Sequence, residues 1–267
     1  MISILILTYN EEIAIQGCLD SVSFSDDVYV LDSFSTDSTV DIVNNSHATL
    51  VQRSFDNYAT QRNFGLSLPF KYEWLLVLDA DERVDSSLLN SLSSFKPNSL
   101  FSAYRIQRRD FFFDRWLRFS QVSPYYIRLV KVGQVSYARE INEEVFVNGE
   151  TGQLDGFIDH YPFIKGFDRW LDRHNSYSSM EAKLIVSAPK VKFSFFKALF
   201  SNNFHERRSH QKKIYYRLPF RPLIKFIFMY FFRLGFLDGL PGLYYCLLIS
   251  FYEFQISLKQ KSFFSSP

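Results

Sequence analysis

The chain has 267 residues, with 30 Lys and Arg against 28 Asp and Glu, for a formal net charge of +2. That balance singles out no partner class, and the length suits one large α/β domain or a domain with an appendage. Aromatic residues make up 18% of the chain, including 30 Phe and 16 Tyr, and they concentrate in the second half. The two cysteines, Cys18 and Cys246, lie too far apart for a metal or redox spacing, so a reducing compartment is the default. Met1–Leu7 is too short and lacks the basic flank of an export signal, which places the protein in the cytoplasm.

Ile2–Leu7 is a short apolar run and reads as a buried parallel strand. It stops at Thr8-Tyr9-Asn10-Glu11-Glu12, where polar residues can cap the next helix. Ile13–Val22 has helical spacing. A second strand, Asp27–Asp32, ends in an acid, and the polar loop Ser33–Thr39 leads to a helix over Val40–Asn44. Ala48–Arg53 reads as a third strand and Tyr58–Ser67 as a helix carrying Gln61, Arg62 and Asn63. Trp74–Leu78 is a fourth strand, which runs into Asp79-Ala80-Asp81-Glu82-Arg83. Strand, polar turn and helix alternate, which predicts a doubly wound, mostly parallel sheet with right-handed crossovers.

In such a fold the strand ends converge on one crevice. Thr8, Asn10 and Glu11 follow the first strand, Asp32 ends the second, and Asp79 and Asp81 follow the fourth. Were extended geometry to persist past Leu78, Asp79 and Asp81 would share a face. Two carboxylates so placed repel unless a cation or proton lies between them. Mg²⁺ or Mn²⁺ commonly uses one or two carboxylates plus substrate phosphates. The plainer alternative is a solvated loop in which Asp81 and Glu82 cap a helix. Asp32 can accept from a base N–H or a ribose hydroxyl, or serve as a turn acid. No Gly-rich phosphate loop is present. Phosphate must then be held by metal and basic side chains, with Arg62 a candidate or else an exposed helix residue.

Ile6–Glu12, Leu31–Thr39, Gln61-Arg62-Asn63 and Leu78–Arg83, in that order, resemble the nucleotide-sugar-binding half of family 2 glycosyltransferases with the inverting GT-A fold. More narrowly they are similar to the lipopolysaccharide-core β-glucosyltransferases and related envelope-glycan enzymes. The resemblance covers residues 1 to about 165. It implies that Thr8, Asn10, Glu11 and Asp32 surround the nucleotide, that Asp79 and Asp81 serve the ribose, diphosphate and metal, and that Arg62 lies near the diphosphate.

Further along, Ser102–Gln107 and Tyr125–Val132 read as strands separated by the aromatic, basic stretch Arg108–Arg118. Arg128 sits within the second, where it can meet diphosphate or an acidic acceptor, or be a surface strand charge. Relatives resemble Val-His-Glu near Ile141-Asn142-Glu143, which maps Glu143 onto the shared Glu as the base on the acceptor hydroxyl, with Asn142 in place of His. Glu140 and Glu144 are neighbouring alternatives for that role. His160 also has a counterpart in the family; it can orient acceptor or diphosphate, or be a structural histidine.

From Phe167 the pattern turns helical and basic. Arg207, Arg208, Lys212, Lys213, Arg217, Arg221 and Lys225 precede or enter the aromatic run Phe226–Phe232. Gly235-Phe236-Leu237-Asp238-Gly239 follows as a turn. Gly239–Tyr252 is uncharged but below the roughly 20 residues a span needs, and Pro241 and Gly242 are expected to shorten it further. Basic residues beside aromatic helices fit an in-plane anchor on an anionic membrane surface; the alternative is a helical appendage packed on the catalytic domain or on a second copy. No nucleic-acid motif accompanies the basic cluster, so no nucleic-acid partner is expected.

These readings predict an α/β chain with a catalytic domain over 1–165 and a helical membrane-associating region over 166–267. The function they predict is a metal-dependent inverting glycosyltransferase. By resemblance it moves a hexose, glucose or galactose, from a UDP-sugar to a lipid-linked glycan acceptor, working peripherally on the inner face of the cytoplasmic membrane. Catalysis would rest on Glu143 and Asp81. Two other classes remain in view. Aspartyl-phosphate phosphatases also carry Asp-x-Asp after an apolar strand, but near the N-terminus and followed by Thr or Val where Arg83 stands here. A non-catalytic, membrane-docked nucleotide-sugar-binding or assembly protein would keep the pocket without the base.

Overall fold

The computed structural model describes residues 1–138, 144–187, 194–201 and 203–265. They divide into two compact units, one of Met1–Trp116 with Ser123–Lys165, the other of Leu117–Val122 with Gly166–Pro267. The first unit opens with β1 (Ser3–Thr8), α1 (Ile15–Ser21), β2 (Val28–Asp32), α2 (Thr39–Asn44), β3 (Thr49–Gln52) and α3 (Tyr58–Leu66). It continues with β4 (Trp74–Asp79), β5 (Glu82–Val84), α4 (Ser86–Ser93), β6 (Phe101–Phe112) and β7 (Arg115–Trp116). Then come β8 (Tyr125–Lys131), β9 (Val135–Ala138), β10 (Glu144–Val147) and β11 (Glu150–His160).

Among the described residues one sheet runs β3-β2-β1-β4-β8-β6-β11-β5, with β7 paired to β6, and β9 and β10 form a separate antiparallel pair. The first four strands are parallel. β1 and β4 lie inside the sheet with both faces covered, which is why they read as continuous apolar runs. Ile4, Ile6, Val30, Leu76 and Leu78 pack on one face with Ile15 and Leu19 of α1 and Leu88 of α4. Leu5, Leu31, Leu75 and Val77 pack on the other. The expected α/β architecture, a mostly parallel sheet flanked by helices, is what the chain forms.

Three local expectations are corrected. Extended geometry ends at Asp79, and the chain turns through Ala80 and Asp81 before β5 begins. The period-two argument for a shared face therefore does not carry past the strand. The helix after this turn is capped by Asp85, whose side chain accepts the Leu88 N–H, not by Asp81 or Glu82. And β6 runs on to Phe112, so the stretch from Arg108 begins inside a strand. Pairing with β11 through Asp110 and with β7 at Phe111 and Phe112 sustains it.

The second unit holds α5 (Phe167–Ser187), α6 (Phe195–Phe200), α7 (Phe204–Tyr215) and α8 (Arg221–Ile227), then a π-helical turn (Phe228–Phe232), a 3-10 turn (Gly235–Asp238) and α9 (Gly239–Ser265). Pro241 and Gly242 fall in the first turn of α9, so they do not shorten it; a proline there loses no hydrogen bond that the helix makes. Among the described residues no helix is long and apolar enough to cross a membrane. The 3-10 turn is a backbone cradle. The buried Asp238 carboxylate accepts from the N–H groups of Arg118, Phe119 and Ser120 and from the Ser120 hydroxyl. Gly242 is obligatory beside it, because a Cβ there would lie 2.3 Å from the Gly235 carbonyl oxygen.

Candidate functional site

The C-terminal ends of the parallel strands supply the first cluster. Register sets Thr8 beside Asp32 and Asp32 beside Gln52, while Leu7 stands beside Asp79. Asp32 is fully buried, a state a carboxylate tolerates only when hydrogen-bonded. It accepts from the Ser35 N–H at 2.9 Å, from Gln52 Nε2 at 3.0 Å and from the Ser35 hydroxyl. Asn10, at φ 53°, turns the chain after β1; its N–H donates to Ser35 Oγ and its side-chain oxygen accepts the Thr36 N–H, each at 2.8 Å. The Glu11 N–H donates to Thr39 Oγ1, and the Glu11 carboxylate pairs with Lys165. These bonds lace the 9–12 and 33–39 loops into one rim. Thr8 Oγ1 is buried and has no hydrogen-bond partner among the described residues.

Asp79 ends β4 with its carboxylate between two guanidinium groups. Arg62 Nη2, from α3, donates to Oδ1 at 2.9 Å, and Arg128 Nη2, from β8, donates to Oδ2 at 3.1 Å. The same Arg128 nitrogen is 2.5 Å from Glu82 Oε1, while Glu82 Oε2 accepts the Asp79 N–H at 3.0 Å. Burial works to raise the Asp79 carboxyl, but Arg62 and Arg128 together hold it well below the usual carboxylate range. Glu82 has no exposed surface; burial lifts its pKa, and Arg128 only partly offsets that. Burial alone would make Arg128 easier to deprotonate, yet Glu82 and Asp79 raise it above its ordinary value.

A second row crosses three strands. His160 on β11 stands opposite Glu82 of β5 on one side and Asp110 of β6 on the other. Its Nδ1 is 2.5 Å from Asp110 Oδ1 and its Nε2 is 3.4 Å from Asp81 Oδ2. Burial pushes the imidazole pKa down, but Asp81 and Asp110 overcome it and bring it up to about 9. Arg108, two residues before Asp110, reaches Asp110 Oδ1 at 3.2 Å and Glu82 at 3.9 Å.

Glu143 and its neighbours Glu140 and Asn142 lie outside the described residues. Glu144 opens β10, exposed. The preceding strand β9 is tied to α3. Asn63 Nδ2 donates to the Tyr137 carbonyl and Asn63 Oδ1 accepts the Tyr137 N–H, both at 2.8 Å. The Arg62 guanidinium lies 5.5 Å from the centre of the Tyr137 ring.

The structure thus brings Arg62, Arg128 and Asp79 into one cluster and Asp81 and His160 into another, bridged by Glu82 and Arg108. Asp79 and Asp81 face different partners. Glu82, Arg108 and Asp110 were not singled out from sequence. Glu82 has the one available signal, its place directly after Asp-x-Asp; Asp110 joins only through strand register. A cavity of about 390 Å³ lined by Gln16, Asp20, Ile42, Asn45 and His47 has none of these residues on its wall.

A divalent ion needs carboxylate or imidazole donors turned toward it. Both Asp79 oxygens are engaged by arginines. Asp81 Oδ2 and the Nε2 of His160 face one another at 3.4 Å, and Asp110 at Nδ1 fixes which ring nitrogen is turned to Asp81. No group of three or more potential ligands occurs among the described residues. Asp81 and His160 offer two donors, so an ion held there would need substrate phosphates to complete its shell.

Residues 3–143 match the family model described as Glycosyl transferase family 2. An uncharacterised glycosyltransferase of Rickettsia typhi is 29% identical over 211 residues, covering 73% of this chain and 71% of the relative. The lipopolysaccharide core biosynthesis glycosyltransferase LpsC of Rhizobium meliloti is 24% identical over 265 residues, covering 92% and 89%. A mannosyltransferase from Pyrobaculum calidifontis, solved with GDP-Man and Mn²⁺, shares the fold at a TM-score of 0.55 and 14% identity, covering 97% of this chain and 86% of that one.

Proposed function

The chain belongs to glycosyl transferase family 2, and from that premise we propose that it transfers a hexose from a UDP-sugar, with inversion, to a lipid-linked glycan of the cell envelope. The observation that carries the reading is the register that ends two parallel strands, on either side of β1, in the buried, hydrogen-bonded Asp32 and in Asp79, with the Asp81–His160 pair following directly on Asp79. Asp32, with the rim built by Asn10 and Glu11, would receive the nucleoside. Its fixed acceptor geometry suits a base N–H or a ribose hydroxyl. The mannosyltransferase relative was solved with a nucleotide sugar and Mn²⁺, and the core-biosynthesis relative supports an envelope-glycan acceptor.

Asp81 and His160 would hold Mg²⁺ or Mn²⁺, with Asp110 fixing the imidazole so that Nε2 faces the site. When bound, such an ion supplies Lewis-acid stabilisation of charge on the leaving diphosphate. Asp79 would set Arg62 and Arg128 beside that diphosphate. Glu143 would take the proton from the acceptor hydroxyl. The hydroxyl oxygen then bonds to the anomeric carbon from the face opposite the leaving group. The bond from that carbon to the diphosphate oxygen breaks, and nucleoside diphosphate departs with the electron pair. No covalent enzyme intermediate forms. We place the protein peripherally on the inner face of the cytoplasmic membrane, where an acceptor of this class would be presented.

The test is a donor screen with the full chain, Mn²⁺ and membrane lipid extract, reading released nucleotide. The expected result is release that requires both acceptor and metal, and that falls by about 10²–10⁴ in kcat for Glu143→Gln. Unchanged turnover in that variant removes Glu143 as the base. Absence of turnover in the native chain across donors and acceptors favours a binding module.

A further inference from the structure

We propose that the second unit docks on an anionic lipid leaflet through two named apolar stripes, one on α8 and its π-helical continuation, the other along α9. On the first, Leu223, Ile224, Ile227, Phe228, Phe231 and Phe232 are all exposed. Their spacing of one, three and four is that of a single helical face. The opposite face holds the buried Met229. On the second, Leu240, Tyr244, Leu247, Phe251, Phe254 and Leu258 are exposed at alternating steps of four and three, again one face. The interior face of α9 is instead set by Cys246, Ser250, Glu253 and Ile256, which are buried. α8 and α9 pack against one another, so the two stripes belong to one body. Neither stripe contains a charge. Apolar surface on this scale is rare on a soluble monomer and marks an interaction surface.

Charge selects the occupant. Between Arg207 and Phe263 the chain carries ten Lys or Arg and only two acids, Asp238 and Glu253. Both acids are buried, 2% and 8% exposed. Asp238 is spent on the 118–120 backbone. Arg221 is turned inward to Ser257 and Gln260 at 2.7 Å each. The outward charge of this stretch is therefore of one sign. Anionic headgroups complement it, each nearby Lys or Arg adding to attraction while the aromatic stripe enters the interface. A second copy of the chain would instead set cations against cations along the seam, with no exposed acid in this stretch to pair them. No helix among the described residues spans a bilayer, so both stripes lie in the plane of the leaflet.

The inference deepens the peripheral-membrane reading and rests on it, but not on the sugar-transfer chemistry. The experiment is sedimentation of the full chain with vesicles of phosphatidylcholine containing a minor share of phosphatidylglycerol, against phosphatidylcholine alone, with no donor present. Binding is expected on the mixed vesicles, weaker on the neutral ones and weakened by salt. The double variant Phe231→Ser/Phe232→Ser should lower partitioning by about a hundredfold, roughly tenfold per side chain. Leu247→Ser/Phe254→Ser on α9 should do the same, and it decides the matter if the first variant loses its helical circular dichroism. Native binding that both variants retain overturns these stripes while leaving a peripheral enzyme. Absence of native binding overturns both readings. A dimer that dissociates in Phe231→Ser/Phe232→Ser, with no vesicle binding, assigns the face to a second copy. Sugar transfer to a detergent-dispersed acceptor without vesicle binding overturns docking alone.

Discussion

Glu82 has no water to share its charge with, and among the described residues its nearest cation is Arg128 at 2.5 Å, with Arg108 farther off at 3.9 Å. Removing one partner of such a pair leaves an uncompensated buried charge. Arg128→Met should therefore destabilise the protein by about 3–5 kcal/mol in urea denaturation. The double variant Arg128→Met/Glu82→Gln should recover a large part of that, because the amide carries no charge and retains an oxygen for the Asp79 N–H. Equal loss in single and double variants would show that Arg128 acts through Asp79 instead. At the other end of the site, Asp110 meets His160 Nδ1 and leaves Nε2 toward Asp81. Asp110→Asn keeps the shape but weakens the orientation of the ring. Its expected effect is a drop of about 10–100-fold in Mn²⁺ affinity, measured by calorimetry with nucleoside diphosphate present. An unchanged affinity would exclude His160 as a metal ligand.

Between elements, a pair of hydrogen bonds joins α3 to β9, the strand that precedes the expected base in the chain. Asn63 imitates a strand neighbour, offering Tyr137 one donor and one acceptor at 2.8 Å. Asn63→Ala removes both at once and leaves no side chain to replace them. We expect a cost of about 1–3 kcal/mol, read as faster amide exchange at Tyr137 while the amides of β1 and β4 keep their protection. A uniform change across all three strands would mean that Asn63 supports the whole unit rather than this one contact. Arg62, one residue earlier on the same helix, reaches Asp79, so kcat in this variant reports whether α3 aligns β9 with the rest of the site.

For the whole molecule, chain connectivity matters more than the linear order of the units. The chain leaves the sheet unit after Trp116, spends Leu117–Val122 in the helical unit, and returns at Ser123. In that excursion Leu117 and Ser120 are buried, and three successive N–H groups rest on the carboxylate of Asp238. A chain cut after Lys165 loses this acceptor and exposes Leu117 between β7 and β8. The truncated protein is expected to be insoluble or to melt without cooperativity by scanning calorimetry, whereas the full chain melts cooperatively. A soluble 1–165 fragment with a sharp transition would show that the excursion needs no partner.

Where the buried parallel strands stop is written in the chain. An apolar run that must be buried on both faces ends where a polar residue appears, and Asp32 and Asp79 mark two of those stops without any tertiary information. The change of regime near Phe167 is written there too, because density of aromatic and basic residues is a property of the chain alone. Folding in three dimensions set Asp79 against Arg62 and Arg128 and Asp81 against His160, gave Glu82 a share of Arg128, and put His160 in register with Asp110. The physical reason is that pairing across a sheet joins residues about fifty positions apart, through backbone bonds that carry no side-chain signature. Which side chains become neighbours is then set by how the strands dock.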